Sequence, residues 1–343
     1  MMKSEEMLKF GADEYDNELC DVSRSHYFEK SAGVVRSSRD LNIFLAHYKK
    51  YGPDKCYIYT GRGPSSVDMH LGHMVPFLVT VALQRALGVR VVVHLTDDEK
   101  FLFRAEHDLE TYQDFAESNK RLIEKCGLDP KLTDIYIGSK DIARFYPTIL
   151  KIQQRVNLNQ VSAVFGFKGG DNIGKVAFPA YEMAPCDPRC LFSASDALNM
   201  RCLVVCAQDQ DPFFRMVRDH SKALGFHKPS LLHLNYLPAL DGSEKMSSTG
   251  ATSAHRICLG DTPKQILKKT RRAFSGGQQT KEAQLELGAD INVDIACIYM
   301  RFFMTDRVRY RELCYRYKSG LVMSGDVKNI CAEMLRKMLE IFD

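Results

Sequence analysis

Between residues 50 and 250, short strand-like segments alternate with segments whose apolar residues have helical periodicity. Four short segments have strand-like composition: 55–60, 89–95, 133–138 and 201–207, of which 89–95 is a continuous Val-rich run. Segments with helical periodicity lie between or beside them: 37–50, 71–88, 109–127 and 211–225. Because strands that alternate with helices form βαβ units, the pattern predicts an α/β fold with a doubly wound, Rossmann-like parallel sheet. Ser37 or Ser38 is expected to cap the first helix.

The pattern changes after Gly260. Ile291, Ile295, Ile298 and Phe302 form a helical stripe, and further helical segments cover 261–274 and 326–342. No further strand is indicated, so we expect an all-helical C-terminal domain. The predicted division is 1–50 as an N-terminal extension that packs on the α/β domain, 51–258 as that α/β domain, and 259–343 as the helical domain.

Composition narrows the class of protein. The apolar fraction of 45% and charged fraction of 26% are those of a globular protein, and no run reaches the ~18 apolar residues of a membrane span. The polar N-terminus does not resemble a signal peptide. Eleven cysteines without a framework spacing indicate reduced thiols and a cytoplasmic location. A net charge of +4 permits a nucleic-acid partner without requiring one.

The stretch from residue 60 to residue 73 has the composition of a phosphate site. A strand leads into a turn with Gly61, Gly63 and Pro64, and a helix follows, so backbone N–H groups can approach an anion. His70 and His73, three residues apart, lie on one side of the first helical turn. Helix capping and metal binding are the alternatives for the two histidines, although no neighbouring Cys or His cluster suggests a third metal ligand.

A second polar loop, "GSEKMSSTG" at 242–250, carries a single lysine, Lys245. A lysine on a flexible loop near a phosphate site is a mobile counter-charge for leaving phosphates. By itself the loop is equally well explained as a solvated connection.

Several strings together resemble one known family. "HLGH" (70–73) and "KMSST" (245–249) are similar to the HIGH and KMSKS signatures of class I aminoacyl-tRNA synthetases. "TGRGPSS", "TDDEK", "DQDPFFR" and "AFSGG" extend the likeness to the eukaryotic and archaeal tryptophanyl-tRNA synthetases, over about residues 33–340. The resemblance implies ATP-dependent activation of L-tryptophan to tryptophanyl-adenylate and its transfer to the 3′ end of tRNA(Trp).

The resemblance and the chemistry of the side chains assign three groups of site residues. His70, His73 and Lys245 are the expected catalytic residues, because they meet charge on the phosphates. The expected ATP-binding residues are Arg62, Gly63, Pro64, Ser65, Gly72, Asp209, Met246, Ser247 and Ser248. The expected tryptophan-binding residues are Tyr59, His94, Glu99, Phe178, Glu182, Cys206, Gln210 and Phe214. Mg²⁺ is expected to arrive with ATP, with no dedicated metal site in the chain.

Two positions of the expected tryptophan pocket depart from the family pattern. Both are commonly Gln, and here they are His94 and Glu182. A neutral His94 can accept a hydrogen bond from an indole N–H, and Glu182 can hold an ammonium group. If His94 titrates near the ordinary imidazole pKa, tryptophan affinity should weaken below about pH 6.

The helical domain is predicted to bind the tRNA anticodon. Its segment 307–318 interleaves basic residues with Tyr310, Tyr315 and Tyr317, a composition that holds a phosphate backbone and stacks unpaired bases. Arg309 and Arg316 are the predicted tRNA contacts. The resemblance also implies a homodimer, and no membrane partner is expected.

Other functions share parts of this pattern. A tyrosyl-tRNA synthetase has the same fold and a similar lysine loop, but "TGRGPSS" is typical of the tryptophan enzymes. Adenylyltransferases for pantetheine phosphate or nicotinamide mononucleotide also use an HxGH turn, but they are shorter and lack the helical domain. A non-catalytic RNA-binding paralogue should have lost a phosphate-binding residue, whereas His70, His73 and Lys245 are all present.

Overall fold

The computed structural model describes residues 4–104, 106–246 and 253–342. The chain divides into two compact units that are each built from separated segments. The first unit comprises Met1–Ser23, Val35–Val67 and Pro76–Asn235, and the second comprises Arg24–Val34, Asp68–Val75 and Tyr236–Asp343. The functional division expected at residues 50 and 258 stays a prediction, because compactness does not test which segment carries which chemistry.

The first unit is built on a seven-stranded sheet with the order β1-β2-β7-β6-β3-β4-β5. Its strands are β1 Asp13–Glu14, β2 Val35–Arg39, β3 Cys56–Arg62, β4 Arg90–Leu95, β5 Thr133–Ile137, β6 Arg201–Ala207 and β7 Ser230–Leu234. The neighbours from β7 to β5 pair in parallel, whereas β1 and β2 add an antiparallel edge. The predicted Rossmann-like α/β class is confirmed, with an antiparallel edge that the hydrophobic pattern did not indicate.

Helices separate these strands along the chain. Those before residue 236 are α1 Ser4–Lys9, α2 Leu41–Tyr51, α3 Leu71–Leu87, α4 Asp97–Phe103, α5 Leu109–Glu124, α6 Gly138–Gln153, α7 Leu158–Phe165, α8 Ile173–Ala177, α9 Pro179–Met183, α10 Ala194–Ala197 and α11 Asp211–Leu224. Side chains cap the starts of several of these helices. At the start of α5, for example, Asp108 accepts a hydrogen bond from the backbone N–H of Thr111 at 2.9 Å. Among the described residues, no helix is both long and apolar enough to cross a membrane.

The second unit is mainly helical. Its later helices are α12 Pro263–Arg271, α13 Lys281–Leu287, α14 Ile295–Phe303, α15 Arg307–Lys318 and α16 Ser324–Leu339. Thr262 caps α12 in a reciprocal capping box with Gln265, and Pro263 occupies the first helical turn. Between 261 and 342 the structure forms no strand, which agrees with the helical periodicity of this part of the sequence.

One local prediction was wrong. Ser37 and Ser38 do not cap a helix, because both lie in β2 and pair with β7. Helix α2 begins at Leu41, after Asp40 has turned the chain in a left-handed conformation with φ 51° and ψ 30°. The two serines are buried in the sheet, where Ser37 Oγ lies 3.0 Å from Nδ1 of His233. Pairing with another strand therefore outweighed the local preference of serine for a helix start.

Candidate active site

Tyr59, His94 and Glu182 come together inside the first unit. Tyr59 on β3 lies opposite Val92, and Gly61, two residues later, lies opposite His94 on β4, so the parallel register brings the two side chains to one place. The hydroxyl of Tyr59 lies 3.4 Å from Nδ1 of His94 and donates to the backbone O of Glu182 at 3.1 Å. The carboxylate Oε1 of Glu182, on α9, lies 3.4 Å from the same hydroxyl. All three residues are buried.

Burial changes the protonation of this cluster. It raises the pKa of Glu182 to about 8, and the neighbouring charges of Glu99 and Asp98 act in the same direction. Burial lowers the pKa of His94 to about 4. The expected weakening of tryptophan binding near pH 6 through His94 is therefore corrected, because this imidazole stays neutral well below that pH. Within this cluster, the carboxyl group of Glu182, with its pKa of about 8, is the group that titrates closest to neutral pH.

Glu99 lies on α4 beside the glycine turn. Its Oε2 is 2.6 Å from Nζ of Lys100 and accepts from the hydroxyl of Thr96 at 3.4 Å. A Cβ atom at Gly63 would collide with the ends of the Lys100 and Glu99 side chains, so a larger residue at this turn position would require those two side chains to move. Sequence reasoning did not single out Lys100, although it adjoins the acidic run "DDE".

The turn after β3 is braced by a residue that sequence reasoning missed. Asn119, fully buried in the middle of α5, accepts from Nε of Arg62 at 2.6 Å. Its amide also donates to the backbone oxygens of Ser66 and Val67, at 2.8 and 3.2 Å. A buried Asn inside an amphipathic helix was the available signal, since buried polar groups need partners. Of the other ATP-binding candidates in this turn, Pro64 is buried and Ser65 is half-buried.

Aromatic and thiol groups enclose the Tyr59 cluster only in part. Phe214 packs edge-on against Tyr59 with ring centroids 5.9 Å apart, and buried Cys206 lies two residues after the β6 partner of Tyr59. Phe178 is buried among Phe103, Tyr181 and Phe213. Its ring contacts therefore involve other aromatics, and plain packing explains its position.

A buried ion-pair network fixes the start of α11, next to the candidates Asp209 and Gln210. These two half-buried residues lie in the short helical turn Gln208–Gln210, which runs directly into α11. Asp211 accepts from Nε and Nη2 of Arg39 at 2.7 and 3.0 Å and lies 3.1 Å from Nε2 of His233. Burial opposes ionisation of Asp211, but the hydrogen bonds from His233 and Arg39 outweigh it and hold its pKa at about 2.

In the second unit, two distant sequence motifs meet at one glycine. The rings of His70 and His73 stack with centroids 3.4 Å apart, and the backbone N–H of His70 donates to Nδ1 of His73 at 3.3 Å. A Cβ atom at Gly72 would lie 3.2 Å from the His70 ring and 3.5 Å from Cβ of Met246. Backbone hydrogen bonds from Leu71 to Ile257 and from Leu259 to Met69 join the His70 segment to residues 257–259.

Lys245 directly precedes this contact. It is exposed, and its ammonium group lies 4.5 Å from the ring centroid of Tyr236. The candidates Ser247 and Ser248 lie outside the described residues. Within 4–104, 106–246 and 253–342, no group of three or more His, Cys, Asp or Glu side chains is arranged to hold a metal ion.

The predicted tRNA segment forms α15, and its side chains divide into two groups. Arg309 and Arg316 are exposed, and Arg316 lies 4.0 Å from Glu312 one turn earlier. Tyr315 is 69% exposed, but Tyr317 is fully buried and donates to Asp294 at 3.0 Å. The expectation that three tyrosines are available for stacking is therefore corrected, because Tyr317 belongs to the core of the unit.

Comparison with known proteins places this geometry in a family. The family model described as "tRNA synthetases class I (W and Y)" matches residues 53–340. The chain belongs to this family of class I tRNA synthetases. A cytoplasmic tryptophan–tRNA ligase of Dictyostelium discoideum is 42% identical over 92% of this chain and 79% of its own length. The corresponding ligase of Homo sapiens is 38% identical over 97% of this chain and 72% of its own.

Solved structures of the family agree with this assignment. A tryptophanyl-tRNA synthetase from Encephalitozoon cuniculi bound to tryptophan has a TM-score of 0.88 at 35% identity, over 98% of this chain and 91% of that one. A product-bound parasite tRNA synthetase has a TM-score of 0.93 at 36% identity, over 99% of this chain and 92% of that one. The predicted resemblance to the tryptophanyl-tRNA synthetases and the predicted fold class are thus confirmed.

Proposed function

We propose that this class I synthetase activates L-tryptophan with ATP and transfers the tryptophanyl group to tRNA(Trp). The amino acid is inferred from the relatives, several of which are named tryptophan–tRNA ligases. Tyrosine is the alternative within the same family, and the names of these relatives do not favour it.

The observation that carries the proposed chemistry is the packing around Gly72. A Cβ atom there would lie 3.2 Å from the ring of His70 and 3.5 Å from Cβ of Met246, although these two residues are far apart in sequence. Adenylate formation is an in-line displacement at the α-phosphate, in which catalysis is mainly positioning and charge stabilisation. His70 and His73 would donate to the phosphates, and Lys245 would hold the departing pyrophosphate together with Ser247 and Ser248.

The amino acid would bind in the first unit. In this proposal Glu182, Glu99 and Gln210 hold the ammonium group, while His94 accepts the indole N–H beside Phe214 and Cys206. Gly63, Pro64 and Ser65 would let ATP approach the backbone next to Arg62 and Asp209. Mg²⁺ would enter with ATP as part of the substrate.

The second step needs a surface for tRNA, and we assign it to the exposed side of α15 with Arg309 and Arg316. The proposed location is the cytoplasm, by analogy with relatives whose names include the word cytoplasmic. The proposed homodimer rests on the family resemblance of the sequence.

ATP–pyrophosphate exchange with each of the twenty amino acids tests the proposal. Tryptophan should support exchange at least about 100-fold better than phenylalanine, because a site built for a hydrogen bond rejects an analogue that lacks the donor. Exchange that depends on tyrosine would replace the proposed substrate. Absence of exchange with every amino acid would remove the catalytic role.

A further inference from the structure

The hydroxyl of Tyr59 has three neighbours that compete for one proton. They are the backbone O of Glu182 at 3.1 Å, Oε1 of Glu182 at 3.4 Å and Nδ1 of His94 at 3.4 Å. A tyrosine hydroxyl donates a single hydrogen bond and can accept others. The nearest neighbour is a carbonyl oxygen, which can only accept, so the Tyr59 proton points to Glu182.

The direction of the Tyr59 hydrogen bond determines which ring nitrogen of His94 carries the proton. If Glu182 is ionised, its carboxylate is a second pure acceptor on the same residue, so the Tyr59 proton still goes to Glu182. In either state Nδ1 of His94 can form a hydrogen bond with Tyr59 only as an N–H donor. Because burial keeps the imidazole neutral, its single proton is then on Nδ1, and Nε2 carries a lone pair.

The other ring nitrogen of His94 is a buried acceptor. Nε2 has no hydrogen-bond partner among the residues that the structure describes, although His94 is only 2% exposed. An unpaired buried acceptor destabilises the folded state and is rare in native proteins. A ligand that brings an N–H donor to this nitrogen would satisfy it.

We propose that Tyr59 is a positioning residue, which holds His94 as the Nδ1–H tautomer so that Nε2 selects an amino acid with an N–H donor in its side chain. This inference rests on the proposed function and assigns Tyr59 a role different from direct contact with the indole. A sulfur analogue of tryptophan, 3-(benzothiophen-3-yl)alanine, has nearly the same shape but lacks the N–H group. It should therefore be rejected through His94.

The first test measures the tautomer directly. Long-range ¹H–¹⁵N correlation spectra of the full chain labelled with ¹⁵N-histidine distinguish protonated from unprotonated ring nitrogens, and the His94→Gln variant assigns the signals. The expected result is a protonated Nδ1 and an unprotonated Nε2. In Tyr59→Phe the Nε2–H tautomer should become populated. A proton on Nε2 in the wild type, or an unchanged tautomer in Tyr59→Phe, overturns the inference.

Tyr57 on the same strand provides a matched control. It is fully buried like Tyr59, but its hydroxyl donates to the backbone O of Pro185 at 2.9 Å. Tyr57→Phe removes an equivalent buried hydroxyl and should leave the His94 tautomer unchanged. A tautomer change in both variants would attribute the effect to general loosening of the sheet and would reject the specific role of Tyr59.

The second test measures selectivity. The ratio of kcat/KM in pyrophosphate exchange for tryptophan against the sulfur analogue should be at least about 100 in the wild type and in Tyr57→Phe. It should fall at least about tenfold in Tyr59→Phe, and an unchanged ratio there contradicts the inference. A wild type that activates tryptophan but carries the Nε2–H tautomer rejects this inference alone, whereas a wild type without tryptophan-dependent exchange rejects the proposed function.

Discussion

The Tyr59 cluster of the first unit and the candidate cations of the second unit differ in burial. Tyr59, His94 and Glu182 are buried, and burial moves the pKa of Glu182 up and that of His94 down. Lys245, Arg309 and Arg316 are exposed. In the proposed function the first set would bind one small zwitterion among buried groups, whereas the second would bind polyphosphates and the tRNA backbone.

Because of this difference in burial, the two regions should respond to different changes in pH, ionic strength and side-chain structure. In the buried cluster, the position of single protons decides which hydrogen bonds can form, so pH and isosteric substitutions should have the clearest effects. Exposed cations act through Coulomb attraction that salt screens, so charge removal and ionic strength should reveal them. Each of the following changes should affect one region and spare the other.

Lys245→Ala should have the largest effect. A cation on the departing pyrophosphate matters most in the transition state, so the rate of adenylate formation should fall about 10²–10³-fold, as for loss of one transition-state donor. Tryptophan affinity should be unchanged, because the buried cluster is untouched. Pre-steady-state pyrophosphate release and calorimetric binding measure the two quantities. Lys264→Ala, an exposed lysine on α12, is the control, and a wild-type rate in Lys245→Ala would exclude Lys245 from the mechanism.

The pH dependence of tryptophan binding should report Glu182. Below its pKa of about 8 the buried carboxyl group keeps a proton that the incoming ammonium group must displace. Affinity should therefore strengthen from pH 6 to pH 8, by up to about tenfold per pH unit, and His94 should contribute nothing in this range.

The charged and titratable neighbours of Glu182 define the control for that experiment. Burial first, and then the charges of Glu99 and Asp98, raise its pKa, while Tyr59 and Lys100 lower it; buried Cys186 and Cys206 also lie close enough to interact with it. Asp98, with a pKa raised to about 7, titrates in the same range. Titration calorimetry on Glu182→Gln separates the two carboxyl groups. A wild-type profile that is flat, or that equals the Glu182→Gln profile, assigns the linkage elsewhere.

Arg309→Ala combined with Arg316→Ala should weaken tRNA charging about tenfold and leave pyrophosphate exchange unchanged. Each lost phosphate contact should reduce the slope of log affinity against log salt by about 0.7–0.9. Charging kinetics between 50 and 200 mM salt measure both effects, with Lys264→Ala combined with Lys337→Ala as a charge-matched control. If exchange and charging fall together, α15 supports the fold; if neither changes, tRNA binds elsewhere.

The sequence predicted the strands and motifs that have local signals. It did not predict the structure or role of residues where these depend on contacts with distant parts of the chain. Short strand-like segments of the sequence identified β3, β4, β5 and β6. The sequence predicted a helix start at Ser37 or Ser38 of β2 because the two serines resemble a cap, and only pairing with the neighbouring strand β7 resolves that ambiguity. The motif residues His70 and Lys245 were found through their spacing and their resemblance to signatures. Asn119 and Lys100 were not found, because their roles depend on helices that fold back onto the glycine turn.

The smallest expected effect is on stability, and it depends on pH. In the unfolded chain Glu182 should titrate near its ordinary value of 4.5, whereas in the folded protein its pKa is about 8. Between these values the folded state binds a proton that the unfolded state does not, so the contribution of Glu182 to stability is lost as pH rises. Glu182→Gln keeps the shape and removes the charge, so it should raise Tm at pH 8.5 by about 2–4 °C and change it little at pH 5. Differential scanning calorimetry at the two pH values measures this, with the exposed Glu124→Gln on α5 as the control. A Tm that rises equally at both pH values would show that packing, not the buried charge, distinguishes the two side chains.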